Sequence, residues 1–266
     1  MIRLLSGAVL IALAVAAVWL APVPLFELIA FAFLFLSTRE LIALFHAGGI
    51  PVPVWPASVA ALLTLTAFSG VIGIYGLPLE VVLMVELIAL GLLALGLWRG
   101  GSEALTIAPA SLFPSIYLAL PIGAIVSIRE SAGPPALFLL MLTVIVSDTA
   151  QYYTGRLLGR RQLAPAISPK KTVEGAIGGL VLGSAAFAIL GHWWLPIIPV
   201  PMRVAVGLGI VAVGIAGDLF ESMLKRSVGV KDSSTIIPGH GGVLDRIDAL
   251  LFAAPFFYVV GRFVTI

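Results

Sequence analysis

Two stretches carry most of the residues able to do chemistry. The richer one, Ser222 to Asp248, reads SMLKRSVGVKDSSTIIPGHGGVLDRID. It gathers Lys225, Arg226, Lys231, Asp232, His240, Asp245, Arg246 and Asp248 in a chain only 11% charged. Carboxylates can hold a divalent cation, Lys and Arg can neutralise phosphate, and glycine lets backbone approach a ligand closely. Just upstream, GDLFESMLKR sets Asp218, Ser222 and Lys225 at i, i+4 and i+7, with Glu221 beside Asp218. On a helix these share one face, presenting a carboxylate, a hydroxyl and an ammonium in a row. VLDRIDALLF then places Asp245 and Asp248 one turn apart at the start of an expected last helix, where one of them could serve the helix dipole.

The second stretch is SDTAQYYTGRLLGRR, 147–161, followed by SPKKTVEG, 168–175. Asp148 ends an apolar run, and Gln151 and Tyr152 follow at helical spacing, on its face. Lys170 and Lys171 stand just before Gly175, which opens a glycine-rich apolar helix. Basic side chains beside a helix N-terminus suit a phosphate. Gly241 and Gly242, next to His240, could turn amide N–H groups toward phosphate oxygens as well. Several carboxylates near these lysines suit oxygen-ligated Mg²⁺. No Walker loop or GxGxxG is present, so a soluble-type nucleotide fold is not indicated.

The elements that must position these groups are membrane helices. The 266 residues are 61% hydrophobic, with a mean hydropathy of +1.16, well beyond a water-soluble domain. The expected fold is an all-α, polytopic integral membrane bundle of about nine helices, near 4–20, 24–46, 52–75, 79–98, 105–127, 134–156, 175–194, 203–224 and 244–264. The first is read as a retained span, not a cleaved signal. Pro114 and Pro121 are expected to kink or break the fifth. Residues 1–130 form the N-terminal scaffold, with lipid access and dimer contacts as possible roles, and 131–266 the catalytic region of a single membrane domain. With the N-terminus in the cytoplasm, all but three basic residues (Arg129, Arg203 and Arg262) fall on the cytoplasmic side. A pI near 9.1 fits a basic face against anionic lipid, and nucleic acid is not needed to explain it. Glu27, Glu40 and Glu86 read as carboxyls near an interface or hydrogen-bonded between helices. There is no cysteine, which excludes thiolate chemistry and Cys-type zinc sites.

The spacing S-x-x-K-R, K-D, H-G-G-x-x-D-R-x-D over 222–248, together with Ser147-Asp148-Thr149 and Ser168-Pro169-Lys170-Lys171-Thr172, resembles the signature of the phosphatidate cytidylyltransferases, also called CDP-diacylglycerol synthases. The resemblance implies a nucleotidyltransferase of phospholipid biosynthesis that takes CTP and phosphatidic acid to CDP-diacylglycerol and pyrophosphate. It would act at the cytoplasmic face of a prokaryotic inner or plasma membrane, as a homodimer. It implies Mg²⁺, with room for a second cation, on Asp218 and Asp245, and Asp248 supporting. Asp218, Asp245, Asp248 and Lys225 would be the catalytic set. Lys170, Lys171, Arg226, Lys231, Arg246, Ser222, His240, Gly241 and Gly242 would meet substrate phosphates, and Asp148 a shared polar cavity. Competing readings are an ether-lipid cytidylyltransferase, a polyprenol kinase, and a cation-coupled transporter with intramembrane carboxylates.

Overall fold

A computed structural model describes residues 2–70, 78–98, 100–101, 103–237, 239 and 241–264. Proline sets the start of three early helices. Pro22, Pro53 and Pro78 hold extended backbone directly before α2 (Val23–Ala47), α3 (Val54–Thr66) and α4 (Leu79–Leu97), which follow α1 (Ile2–Trp19). A proline costs nothing at a helix start, where the first amides have no partner within the helix. Next come α5 (Glu103–Pro114), a π turn (Ser115–Ala119) and α6 (Leu120–Ser131). The break expected at Pro114 and Pro121 is therefore a widened turn inside one continuous apolar path, Glu103–Ser131. The amide of Leu120 reaches back to Ser115 O, which spaces the chain where proline rings would strike a carbonyl.

The second half contains α7 (Gly133–Leu158), β1 (Gln162–Ala164), β2 (Ser168–Thr172), α8 (Val173–Trp194), α9 (Val200–Ser227) and α10 (Leu250–Val264). Among the described residues, six helices are long and apolar enough to cross a membrane, and three shorter apolar ones accompany them. The chain is thus a polytopic helical membrane protein, with two departures from the all-α expectation and its boundaries. The segment 162–172 is an antiparallel hairpin pairing Gln162 with Thr172 and Ala164 with Ser168. The last helix starts at Leu250 and not at 244, because Leu244–Arg246 form a single 3₁₀ turn. Asp245 and Asp248 therefore precede that helix.

The chain forms two compact units. One comprises Met1–Ser127 with Ser227–Arg246, and the other Ile128–Arg226 with Ile247–Ile266. In the first, buried Ile42, Val52, Ala57 and Ala110 form a core with Phe45 and Ile50. Glu86 accepts a hydrogen bond from Thr64, and Glu27 one from Ser69. Both carboxyls tie helical segments together, as their isolation in apolar sequence suggests. In the second unit, glycine sets the helix spacing. Along α8, a Cβ on Gly175 would lie 2.7 Å from Gln151 O, one on Gly179 2.5 Å from the Gln151 side chain, and one on Gly183 3.0 Å from Ser147 Cβ. These three, four residues apart, form a small-residue stripe that seats α7 against α8.

Candidate functional site

In the second unit, α7, β2, α9 and the turn before α10 bring charged residues together. Thr172 caps α8 by accepting the Gly175 amide at 3.0 Å, and this fixes how β2 enters the helix. Lys171, one residue earlier, forms an ion pair with Asp218 of α9. Gly217 keeps α9 close to the 247–249 turn, since a Cβ there would sit 2.8 Å from Asp248 O. Asp148, Asp218, Asp248 and Lys171 consequently sense one another's charge. Asp148 Oδ1 accepts a hydrogen bond from Gln151 Nε2 at 3.0 Å, on the helix face expected from their spacing. Burial first, and then the Asp218 carboxylate, push the Asp248 acid up to about 6.

The row expected along α9 is present, with a different closest neighbour for its lysine. Lys225 is buried, and its Nζ donates to Glu221 Oε1 at 2.9 Å, with Glu221 fully buried. This i, i+4 order suits the helix dipole, and each charge offsets the other's loss of water. Ser222 is half-buried, while Lys170 and Arg226 are exposed.

The loop 231–246 belongs to the first unit and is organised around two carboxylates. Asp245 Oδ2 accepts from the Ser233 amide (2.9 Å), the Ser233 hydroxyl (2.9 Å) and the Gly242 amide (2.8 Å). Glu40 of α2 supplies the other carboxylate. Its Oε1 accepts from the Ser234 hydroxyl (2.6 Å) and the Val243 amide (3.0 Å), and its Oε2 from the Ser233 hydroxyl (3.0 Å) and the Leu244 amide (2.8 Å). The Gly242 amide, expected to face phosphate, is given to Asp245 Oδ2 in this structure. Both glycines also have a packing reason. A Cβ on Gly242 would overlap Ser233 Oγ and both Glu40 oxygens, and Gly241 has φ +80° with Asp245 Oδ2 2.5 Å from where its Cβ would be. Lys231, Asp232 and Arg246 are exposed. His240 lies outside the described residues.

Sequence reading did not single out Glu40 for this role, since its partners stand some two hundred residues along the chain. Its signal was only that of a carboxyl in an apolar run. Glu174, part of the SPKKTVEG motif, was given no role of its own. Its Oε2 accepts the amides of Arg160 (3.0 Å) and Arg161 (3.2 Å), tying the end of α7 to the start of α8.

The residues fit a divalent cation of one kind. Among the described residues, no three acidic or histidine side chains converge as a closed metal cage. The pair Asp218 and Asp248, close enough for each carboxylate to act on the other, suits an ion held by one or two carboxylates that completes its shell with water and substrate phosphate.

A model of the cytidylyltransferase family matches residues 1–264. The chain is 40% identical over 150 residues to the phosphatidate cytidylyltransferase of Aquifex aeolicus, covering 56% of each protein. It is 45% identical over 128 residues to the phosphatidate cytidylyltransferase of Haemophilus influenzae, covering 46% of this chain and 44% of that one. An uncharacterized Escherichia coli protein, YnbB, is 46% identical over 127 residues, which is 48% of this chain and 42% of the relative. The aligned part thus spans about half the length of the curated relatives it matches.

Proposed function

The chain belongs to the cytidylyltransferase family, and from that premise we propose that it is a phosphatidate cytidylyltransferase. An oxygen of the phosphatidate phosphate attacks the α-phosphorus of CTP. The bond from that phosphorus to the α–β bridging oxygen breaks, and pyrophosphate leaves with the electron pair. Such transfer asks for alignment and charge neutralisation more than for covalent help from side chains. The observation that carries the reading is the meeting of Lys171 with Asp218, and of both with Asp148 and Asp248, in one patch of the second unit.

Lys171 is held against a carboxylate, so an incoming phosphate can take over a partner already in position. Lys225, paired with Glu221, lies along the same face of α9. Lys170, exposed in the middle of β2, and Arg226, exposed in the last turn of α9, suit the solvent-side oxygens of a triphosphate or a lipid phosphate. Ser222 contributes a hydroxyl to that face. Asp218 and Asp248 are the carboxylates that would hold Mg²⁺, and the ion would supply neutralisation of developing charge on phosphate oxygens. Asp245, oriented by three donors, would be the carboxylate through which its own loop could hold a cation. Lys231, His240 and Arg246 add phosphate-directed charge to the same loop.

The bias of basic residues supports an active site facing the cytoplasm of a prokaryotic membrane, where CTP is supplied. The family resemblance supports a homodimer. The test is direct. The purified chain in detergent, given CTP, phosphatidate and Mg²⁺, is expected to form CDP-diacylglycerol detectable by mass spectrometry, with an equal amount of pyrophosphate. Absence of a CDP-lipid from folded protein would contradict the proposal.

A further inference from the structure

We propose that Glu40 is a positioning residue for the reaction, acting through the 231–246 loop; the inference rests on the cytidylyltransferase reading for what that loop does. Glu40 is 3% exposed. Its two carboxylate oxygens receive four hydrogen bonds, two from backbone amides and two from serine hydroxyls, all from residues 233–244. Bonds to an ionised acceptor are shorter and stronger than neutral ones. A buried carboxylate, in turn, tolerates the loss of such donors poorly.

Among its described residues the loop contains a 3₁₀ turn at Leu244–Arg246, a bridge in which the Ile237 amide donates to Gly241 O at 2.8 Å, and a hydrogen bond from the Ile236 amide to Ser234 Oγ. The carboxylates of Glu40 and Asp245 add seven more hydrogen bonds. The two are joined by Ser233, whose hydroxyl stands 3.0 Å from Glu40 Oε2 and 2.9 Å from Asp245 Oδ2. That hydroxyl has one proton to share between two acceptors, so a change at Glu40 is felt at Asp245. Gly242 completes the fit, because any side chain there would occupy the space of the Glu40 carboxylate. Glu40 therefore sets the backbone from which Lys231, Asp232, Asp245 and Arg246 project. It stands to Asp245 as an outer partner stands to a metal-associated ligand, and loss of such partners costs ~10–100-fold in affinity or activity.

The test uses the full chain in lipid nanodiscs, with Glu40→Gln, Glu40→Asp, Ser233→Ala and, as a control, Glu86→Gln, a second buried carboxylate of the same unit that accepts from Thr64. Three quantities are read: kcat against KM for CTP, the Mg²⁺ concentration for half-maximal rate, and amide hydrogen exchange at 233–245. Glu40→Gln is expected to lower kcat by ~10–100-fold, to raise the Mg²⁺ requirement several-fold, and to speed exchange at Val243 and Leu244. Glu40→Asp should recover part of each. Ser233→Ala keeps the Glu40 contacts to Val243 and Leu244, so it should move the Mg²⁺ requirement while leaving those amides slow. Glu86→Gln should lower the unfolding temperature without moving the Mg²⁺ requirement.

A folded Glu40→Gln with wild-type exchange overturns the proposal. So does one whose losses match those of Glu86→Gln with an unmoved Mg²⁺ requirement, which would be a merely structural role. If Glu40→Gln fails to fold, Ser233→Ala decides, and a wild-type Mg²⁺ requirement there overturns the inference. If the unaltered chain makes no CDP-lipid, the functional reading falls, and the exchange measurement still judges the loop clamp separately.

Discussion

Asp248 is a residue on which protons and cations would compete. Its acid, raised from 3.8 to about 6, binds a proton more tightly in the folded protein than in the unfolded chain. Without metal, the folded state should therefore be favoured below about pH 4 and lose that contribution as pH rises toward 6. Thermal unfolding in chelator across this window is expected to show the loss, Asp248→Asn to flatten it, and added Mg²⁺ to restore stability above pH 6. An unchanged slope in Asp248→Asn would contradict the assignment. Lys171→Ala removes the partner of Asp218 and should lower kcat/KM for CTP by on the order of 10²-fold, with Lys171→Arg retaining more activity than the alanine variant. Equal rates in the unaltered chain and Lys171→Ala would remove it from the site. At this scale the sequence was informative where partners are close in number: the α9 face and the Asp148–Gln151 pair follow from helical spacing alone. It was uninformative for Glu40 and for the Gly242 amide, because their partners are set by tertiary approach and no local period marks it.

The elements that place these residues depend on glycine. Gly175→Ala would put a methyl against Gln151 O and the Thr172 hydroxyl, at the point where β2 delivers Lys171. Overpacking of this kind costs about 1–3 kcal/mol, so the unfolding temperature and the activity should fall together. Gly91→Ala in α4 meets nothing within 4 Å, and is expected to leave both unchanged or to stabilise slightly. A Gly175→Ala protein as stable as Gly91→Ala would refute the close seating of α7 on α8. Removing the α8 cap by Thr172→Ala should cost about 1 kcal/mol, read in the same melts. The helices themselves were legible as apolar runs ended by Pro and Gly. The hairpin was not, since strands of three and five residues containing Pro169 show no alternation to read. Nor was the start of α10, because acidic residues before an apolar run look the same whether they cap a helix or close a loop.

At the scale of the whole molecule, the charges agree with a membrane crossing. Arg203 and Lys225, both buried on α9, are separated by about 33 Å along the helix, close to the thickness of a hydrocarbon core of roughly 30 Å. The same helix thus has Arg203 toward one end and Lys225 with Arg226 at the other. The segment 227–246 groups with the N-terminal helices and not with its neighbours in sequence, a pairing that linear reading could not reveal. Membership of the cytidylyltransferase family and the patch of Asp148, Lys171, Asp218 and Asp248 together support the proposed chemistry. In the proposed reaction a lipid phosphate attacks CTP at its α-phosphorus, and parallel reactions with CTP labelled at the α- or the γ-phosphate distinguish it from γ-phosphoryl transfer. Label is expected in the lipid fraction only from the α-position, with γ-label leaving as pyrophosphate. γ-Label in the lipid, with a nucleoside diphosphate released, would instead identify a kinase and contradict it.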